Sequence, residues 1–221
     1  MTTERAMRLR ALAFVCTLAL STLASMPARA QQPSNDFVID VVNDRADRVR
    51  SQLTRGTDPN TTDRNGDPVL VIAAREGNRA TVEALLDARA DVNRRNAYGD
   101  SALMVAALKG NLEIVRLLRA RGAVVDGPGW TPLIYAATGG NDEVVRYLLD
   151  QGAKINAQAP NGTTALMMAV RESHPSTVEL LVSRGADVNT RNENGASALA
   201  WAERNEDRVV IDRLRRAGAK P

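Results

Sequence analysis

Catalysis needs side chains that move protons, attack carbon or hold metal, and this 221-residue chain has few of them. It contains one histidine, His174, and one cysteine, Cys16. A zinc site or a Cys–His dyad requires several such ligands in one place, and Cys16 lies in an N-terminal apolar run that reads as a removable leader. Asp67, Asp100 and Asp126 fall singly in successive turns. Solvated acids so placed suit turn and cap hydrogen bonds better than a paired general acid and base. No glycine-rich loop precedes a helix at the spacing that cradles phosphate, and Gly127-Pro128-Gly129 belongs to a turn. His174 stands where related stretches carry Asn78, Asn111 and Asn141, and reads as a turn residue with local hydrogen bonds. The inventory assigns no catalytic residue, no cofactor and no metal, so the chain reads as non-enzymatic. Recognition is the chemistry left to it, and Tyr98, Leu108 and Trp130 are apolar residues at turn and helix-end positions that are usually polar.

The elements that position these residues recur. Tyr98–Ala123 holds two apolar helical patterns, Ala102–Leu108 and Leu112–Leu118, separated by Gly110-Asn111 and closed by Gly122. The same unit returns along the chain: Gly66, Gly99, Gly129, Gly162 and Gly195 are spaced by 33, 30, 33 and 33 residues. A period near 33 with one helical hairpin per repeat predicts an all-α stacked solenoid. In each unit a small-residue pair (Ala73-Ala74, Ala106-Ala107, Ala136-Ala137, Ala169-Val170) lets neighbouring helices approach, and a leucine pair in the second helix fills the seam. Gly77, Gly110 and Gly140 end the first helices, where a left-handed residue suits glycine. Ser173 takes that place in a later unit, followed by Pro175 at a helix start. Tyr135, Tyr147 and Trp201 fall in helices and read as core or seam residues.

The N-terminus is a separate object. Arg5, Arg8 and Arg10 precede the apolar run Ala11–Leu20, and Ala28-Arg29-Ala30 has the form of a cleavage site. The run falls short of the roughly 20 residues that span a bilayer. Residues 1–30 are therefore expected to be a secretory signal peptide cleaved after Ala30, giving a periplasmic or secreted protein with no membrane insertion after cleavage. The leader carries Arg5, Arg8, Arg10, Arg29 and Glu4, which leaves 25 basic and 25 acidic residues in 31–221. With zero net charge the electrostatic footprint of a nucleic-acid binder is missing, and no nucleic acid is expected as partner. Stability without a disulfide must come from stacking.

Residues 31–35 form a short linker, and 36–221 divide into about six units: 36–64, 65–97, 98–127, 128–160, 161–193 and 194–221. The first and last carry polar faces, with Arg48, Ser51 and Gln52 in one and Arg213, Arg215 and Arg216 in the other, and read as N- and C-terminal caps.

Gly-Trp-Thr-Pro-Leu-Ile-Tyr-Ala-Ala at Gly129–Ala137, Gly-Asn-Leu-Glu-Ile-Val-Arg-Leu-Leu at Gly110–Leu118 and Gly-Ala-Asp-Val-Asn at Gly185–Asn189 closely resemble the ankyrin repeat. The resemblance runs from about Asp36 to Ala219 and suggests the bacterial, exported type. One departure recurs: Val71, Met104, Ile134, Met167 and Ala200 replace the histidine of the family's Thr-Pro-Leu-His. What the resemblance implies is a stack whose inner helices and β-hairpin fingers line a concave surface, and a domain without chemistry of its own that binds other proteins there.

Register places a candidate protein-binding face on Arg64, Asn65, Asp67, Arg75, Glu76, Tyr98, Asp100, Leu108, Lys109, Trp130, Thr138, Asn161, Thr163, Arg171 and Glu172. Trp130 follows a finger that is three residues short between Gly122 and Gly129. It reads either as an interface anchor or as a plug over the notch. The sequence thus predicts a monomeric, non-enzymatic scaffold that recognises an exported or envelope protein, the alternative being a regulator, inhibitor or immunity-like factor for an exported enzyme.

Overall fold

A computed structural model describes residues 35–221, and the expected leader, its expected cleavage site and residues 31–34 lie outside the described residues. The described residues form twelve helices in six antiparallel pairs. The inner helices are α1 (Asn35–Val42), α3 (Val69–Glu76), α5 (Ala102–Leu108), α7 (Pro132–Thr138), α9 (Ala165–Arg171) and α11 (Ala198–Arg204). The outer helices are α2 (Ala46–Thr54), α4 (Arg79–Asp87), α6 (Leu112–Ala120), α8 (Asp142–Asp150), α10 (Pro175–Ser183) and α12 (Arg208–Arg216). Each inner helix packs on the next inner helix and each outer helix on the next outer one, with the inner row in closer contact.

The two rows differ because their sequences do. Val69–Ala74, Ala102–Ala107 and Ala165–Val170 are buried without a break. A helix that is apolar all round needs neighbours on every side, and the inner row supplies them. The Ala pairs are fully buried, which brings successive backbones together. Outer helices are amphipathic: Ile114, Val115 and Leu118 of α6, and Val144, Val145 and Leu148 of α8, face inwards. In these two helices one leucine of each pair is sealed while Leu117 and Leu149 are only half-buried.

Loss of the family's histidine leaves the starts of the inner helices intact. The side chains of Ser101, Thr131, Thr164 and Ser197 accept hydrogen bonds from the backbone N–H groups of Met104, Ile134, Met167 and Ala200, at 3.4, 3.3, 3.3 and 3.2 Å. An N-cap of this kind contributes about 1 kcal/mol per helix. Ser173 adopts φ +58° at the left-handed position held by Gly77, Gly110 and Gly140, so the turn survives the substitution under backbone strain.

The expected β-hairpins are smaller than the resemblance implied. Among the described residues, β pairing consists of three isolated antiparallel bridges, Thr62–Pro68, Arg95–Ser101 and Arg191–Ser197. The fingers are tight turns in which backbone bonds are joined by side-chain ones: Asp63, Asn96 and Asn192 each accept backbone N–H bonds two and four residues ahead.

The interhelical turns also correct an expectation. At four of them a polar side chain bonds to the preceding repeat, not locally. Asn78 donates to the carbonyls of Val41 and Val42, Asn141 to those of Ala107 and Leu108, and Asn205 to those of Val170 and Arg171. His174 Nε2 lies 3.0 Å from the Thr138 carbonyl oxygen. These bonds satisfy carbonyls at inner-helix ends, which have no partner within their own helix.

Candidate protein-binding cleft

The three-residue deletion can be located from hydrogen bonds. Asn60, Asn93, Asn156 and Asn189 each accept from the backbone of the next repeat, at Asp91, Val124, Asp187 and Lys220. Asp126 accepts from Lys154 N–H at 3.0 Å and so occupies the same register. Six residues separate Asn93 from Gly99 but only three separate Asp126 from Gly129, so the loss falls at the finger tip. The position corresponding to Arg95 and Arg191, which bridge their fingers, is missing there. The Arg95 guanidinium of the preceding finger lies beside Gly127, close enough that a methyl at Gly127 would sit 3.1 Å from Nη2.

An open cleft of about 250 Å³ lies in this region, lined by Leu108, Trp130, Tyr135, Thr138, Met168 and Arg171. The indole of Trp130 meets the Tyr135 ring edge to face, with centroids 6.3 Å apart and planes at 83°, a favoured aromatic geometry. Trp130 is half-buried against the core yet forms a wall of the cleft, which remains open beside it. The Tyr135 hydroxyl donates to Asp100 Oδ1, tying α7 to the preceding finger. Burial pushes the Tyr135 phenol well above its ordinary range; the hydrogen bond to Asp100 and that carboxylate's charge act in the same direction, and Arg95 opposes them. On the far wall, the Thr138 hydroxyl donates to the Ile134 carbonyl at 2.8 Å.

The structure sorts the remaining candidates. Tyr98 is 87% exposed at its finger tip, and Arg64, Lys109 and Arg171 are exposed. Arg171 places Nε and Nη2 at 2.8 and 2.7 Å from Glu172 Oε1. Two expectations of outward-facing acids need correction. Asp67 is buried and pairs with Arg75 at 2.8 Å, because an acid after the finger glycine lies directly against a guanidinium at the end of the same inner helix. Asp100 is half-buried and takes the Tyr135 hydroxyl instead of facing solvent. Thr163 is sealed as well, at 1% exposure. Asn65, Glu76, Asn161 and Glu172 are exposed.

Tyr135 and Met168 line the cleft but were not among the expected site residues. They share a register row with Ile72, Val105 and Trp201, and an aromatic following two aliphatic residues in that row was the available signal.

The family model described as Ankyrin repeats (3 copies) matches residues 38–128, 122–192 and 156–221, which together span nearly all of the described residues. No curated protein is significantly similar to the chain. Among the described residues no helix is long and apolar enough to cross a membrane. Paired helices in register, capped inner helices and a match over this whole length agree: the chain belongs to the ankyrin-repeat family, whose members serve as protein-binding scaffolds.

Proposed function

We propose that the protein is a periplasmic scaffold that binds an exported or envelope protein through the face formed by its fingers and inner-helix ends, with the Trp130 cleft as anchor. One observation carries this reading. The cleft lies at the single break in an otherwise regular period, and its walls combine two aromatic rings, Leu108 and Met168 with the guanidinium of Arg171. Aromatic residues and arginine dominate the binding energy of protein interfaces. Fully exposed Tyr98 on the adjacent finger extends the same face. The expected leader, residues 1–30, supports export, and the balance of 25 basic and 25 acidic residues beyond it favours mixed, orienting electrostatics over bulk attraction.

Affinity capture from a periplasmic extract tests the proposal, comparing wild type with a Trp130→Ala/Tyr98→Ala variant. Partners lost from the variant are the expected result; identical partner lists refute the anchor. Sequencing the N-terminus of the exported protein should find Gln31, and a retained Met1 removes the periplasmic premise.

A further inference from the structure

We infer that the cleft takes an extended peptide segment of the partner in which a bulky apolar side chain enters between Leu108, Trp130, Tyr135 and Met168 while a neighbouring carboxylate pairs with Arg171. The inference rests on the protein-binding reading above and adds the chemistry of what is bound.

Register supplies the first argument. In the second repeat the residue after the finger glycine is Asp67, and the inner helix ends near Arg75; the two close on each other at 2.8 Å, so that surface satisfies its own charges. The corresponding pairs farther along are Asp100 with Leu108, Trp130 with Thr138, and Thr163 with Arg171. Thus Arg171 keeps the guanidinium of the pattern while its acid has become a buried, uncharged threonine. Its one salt-bridge partner among the described residues is the adjacent Glu172, and the two side chains are 51% and 38% exposed. Exposed pairs of this kind hold weakly, so a ligand carboxylate can take the place over Arg171 that Asp67 takes over Arg75. Asp100, which does not line the cleft, accepts from the Tyr135 hydroxyl. Among the six residues that line the cleft Arg171 alone is charged, so the ligand group it can pair is a carboxylate that displaces Glu172.

Size and surface supply the second argument. At about 250 Å³ the cleft is smaller than the roughly 300–1,000 Å³ of sites that enclose drug-sized ligands. It matches one or two side chains, and its mainly hydrocarbon walls suit an aromatic or long aliphatic group. Because the apolar walls come from α5, the finger residue Trp130, α7 and α9 while Arg171 ends α9, the bound segment runs along the stack with its carboxylate towards the later repeat.

An array of immobilised random-sequence peptides, probed with the purified protein, tests this directly. Bound peptides should be enriched in Phe, Trp, Leu or Met with Asp or Glu nearby. For the strongest peptide, Trp130→Ala should weaken binding about 30-fold, as expected for an interface anchor. The same peptide with Gln in place of its acid should bind wild type about tenfold more weakly, and Arg171→Gln should abolish that difference. Arg171 is exposed, so its variant leaves the stack intact even if loss of Trp130 disturbs packing against Tyr135. Enrichment without acids, or an acid preference that survives Arg171→Gln, overturns the inference. A silent array beside Trp130-dependent periplasmic capture also overturns it and leaves the scaffold reading standing, whereas capture indifferent to Trp130 removes both.

Discussion

Gly110 and Gly122 allow the contribution of the inter-repeat asparagine bonds to be measured with an internal control. Both glycines are left-handed, with φ +74° and +88°. A methyl group at Gly122 would meet nothing within 4 Å. Gly122→Ala therefore bears only the backbone penalty of about 1–2 kcal/mol, offset by the 0.4–1 kcal/mol or so that alanine gains by restricting the unfolded chain. The expected net loss is about 1 kcal/mol. At Gly110 the same methyl would lie 2.5 Å from Asn141 Oδ1 and 2.8 Å from its Cγ, so the asparagine must swing away. That side chain donates to the Ala107 and Leu108 carbonyls at 2.9 and 2.8 Å. Two hydrogen bonds at about 1 kcal/mol each bring the expected cost of Gly110→Ala to about 3 kcal/mol.

Urea unfolding followed by far-ultraviolet circular dichroism measures both, and equal m-values in the three proteins establish that midpoints compare stabilities. The 2 kcal/mol difference between variants corresponds to about 4–8 °C in Tm for a domain of this size. A cycle with Asn141→Ala assigns the cause, because in that background Gly110→Ala should cost no more than Gly122→Ala. If the two glycine variants agree within about 0.5 kcal/mol in the native background, the inter-repeat bonds do not hold the stack as argued.

Three further outcomes follow from the structure. Tyr135 holds its proton more tightly when folded than when unfolded, chiefly because it is buried, so its contribution is complete below the ordinary tyrosine range of about 10 and is lost as pH rises beyond it; in alkaline urea titrations Tyr135→Phe should flatten that decline, and an unchanged slope counts against the raised proton affinity of this phenol. Arg89 is exposed and adopts φ +64° at the outer-helix end where five other repeats place glycine, so Arg89→Gly should stabilise by about 1 kcal/mol, a Tm rise of about 2–4 °C in a thermal scan. Leu148→Ala, at a fully buried position of α8, should cost about 2–5 kcal/mol in urea unfolding, and Leu149→Ala, half-buried beside it, markedly less.

Most features decided within one repeat were legible in the sequence, the Asp67–Arg75 pair excepted, whereas those decided between repeats were largely not. The helical period, the apolar inner row, the left-handed glycines and the exposed finger Tyr98 follow from the residues of a single unit. The asparagine row did not, because an Asn in a turn looks the same whether its amide bonds nearby or, as at Asn141, to carbonyls 33 and 34 residues back. Tyr135 reads in the sequence as a core or seam residue and does pack against the core, but its bond to Asp100, 35 residues away, is not legible from a helical position. Asp67 and Arg75 show the complementary error. Each alone reads as a surface charge, and only their approach within the folded unit shows that they satisfy each other.

The proposed site falls on the irregular stretch for a physical reason. A regular unit of this chain tends to close its own surface: the finger bridges back, and in the second repeat the acid after the glycine takes the guanidinium at the inner-helix end. Removing three residues at the tip after Asp126 eliminates the bridging position. Placing Trp130 in the register of Asp67 and Asp100 eliminates the acid, and Leu108 and Thr138 eliminate the bases that an acid would have met. Each change alone would leave a polar group without its partner at the surface. Together they replace a self-satisfied polar strip with apolar walls, while Asp100 finds a new donor in Tyr135 and Arg171 is left with only an exposed neighbour. The free energy withheld from intramolecular pairing at this position is then available to a partner, which is the physical sense in which, on the proposed reading, the break in the period and not the repeat itself specifies recognition.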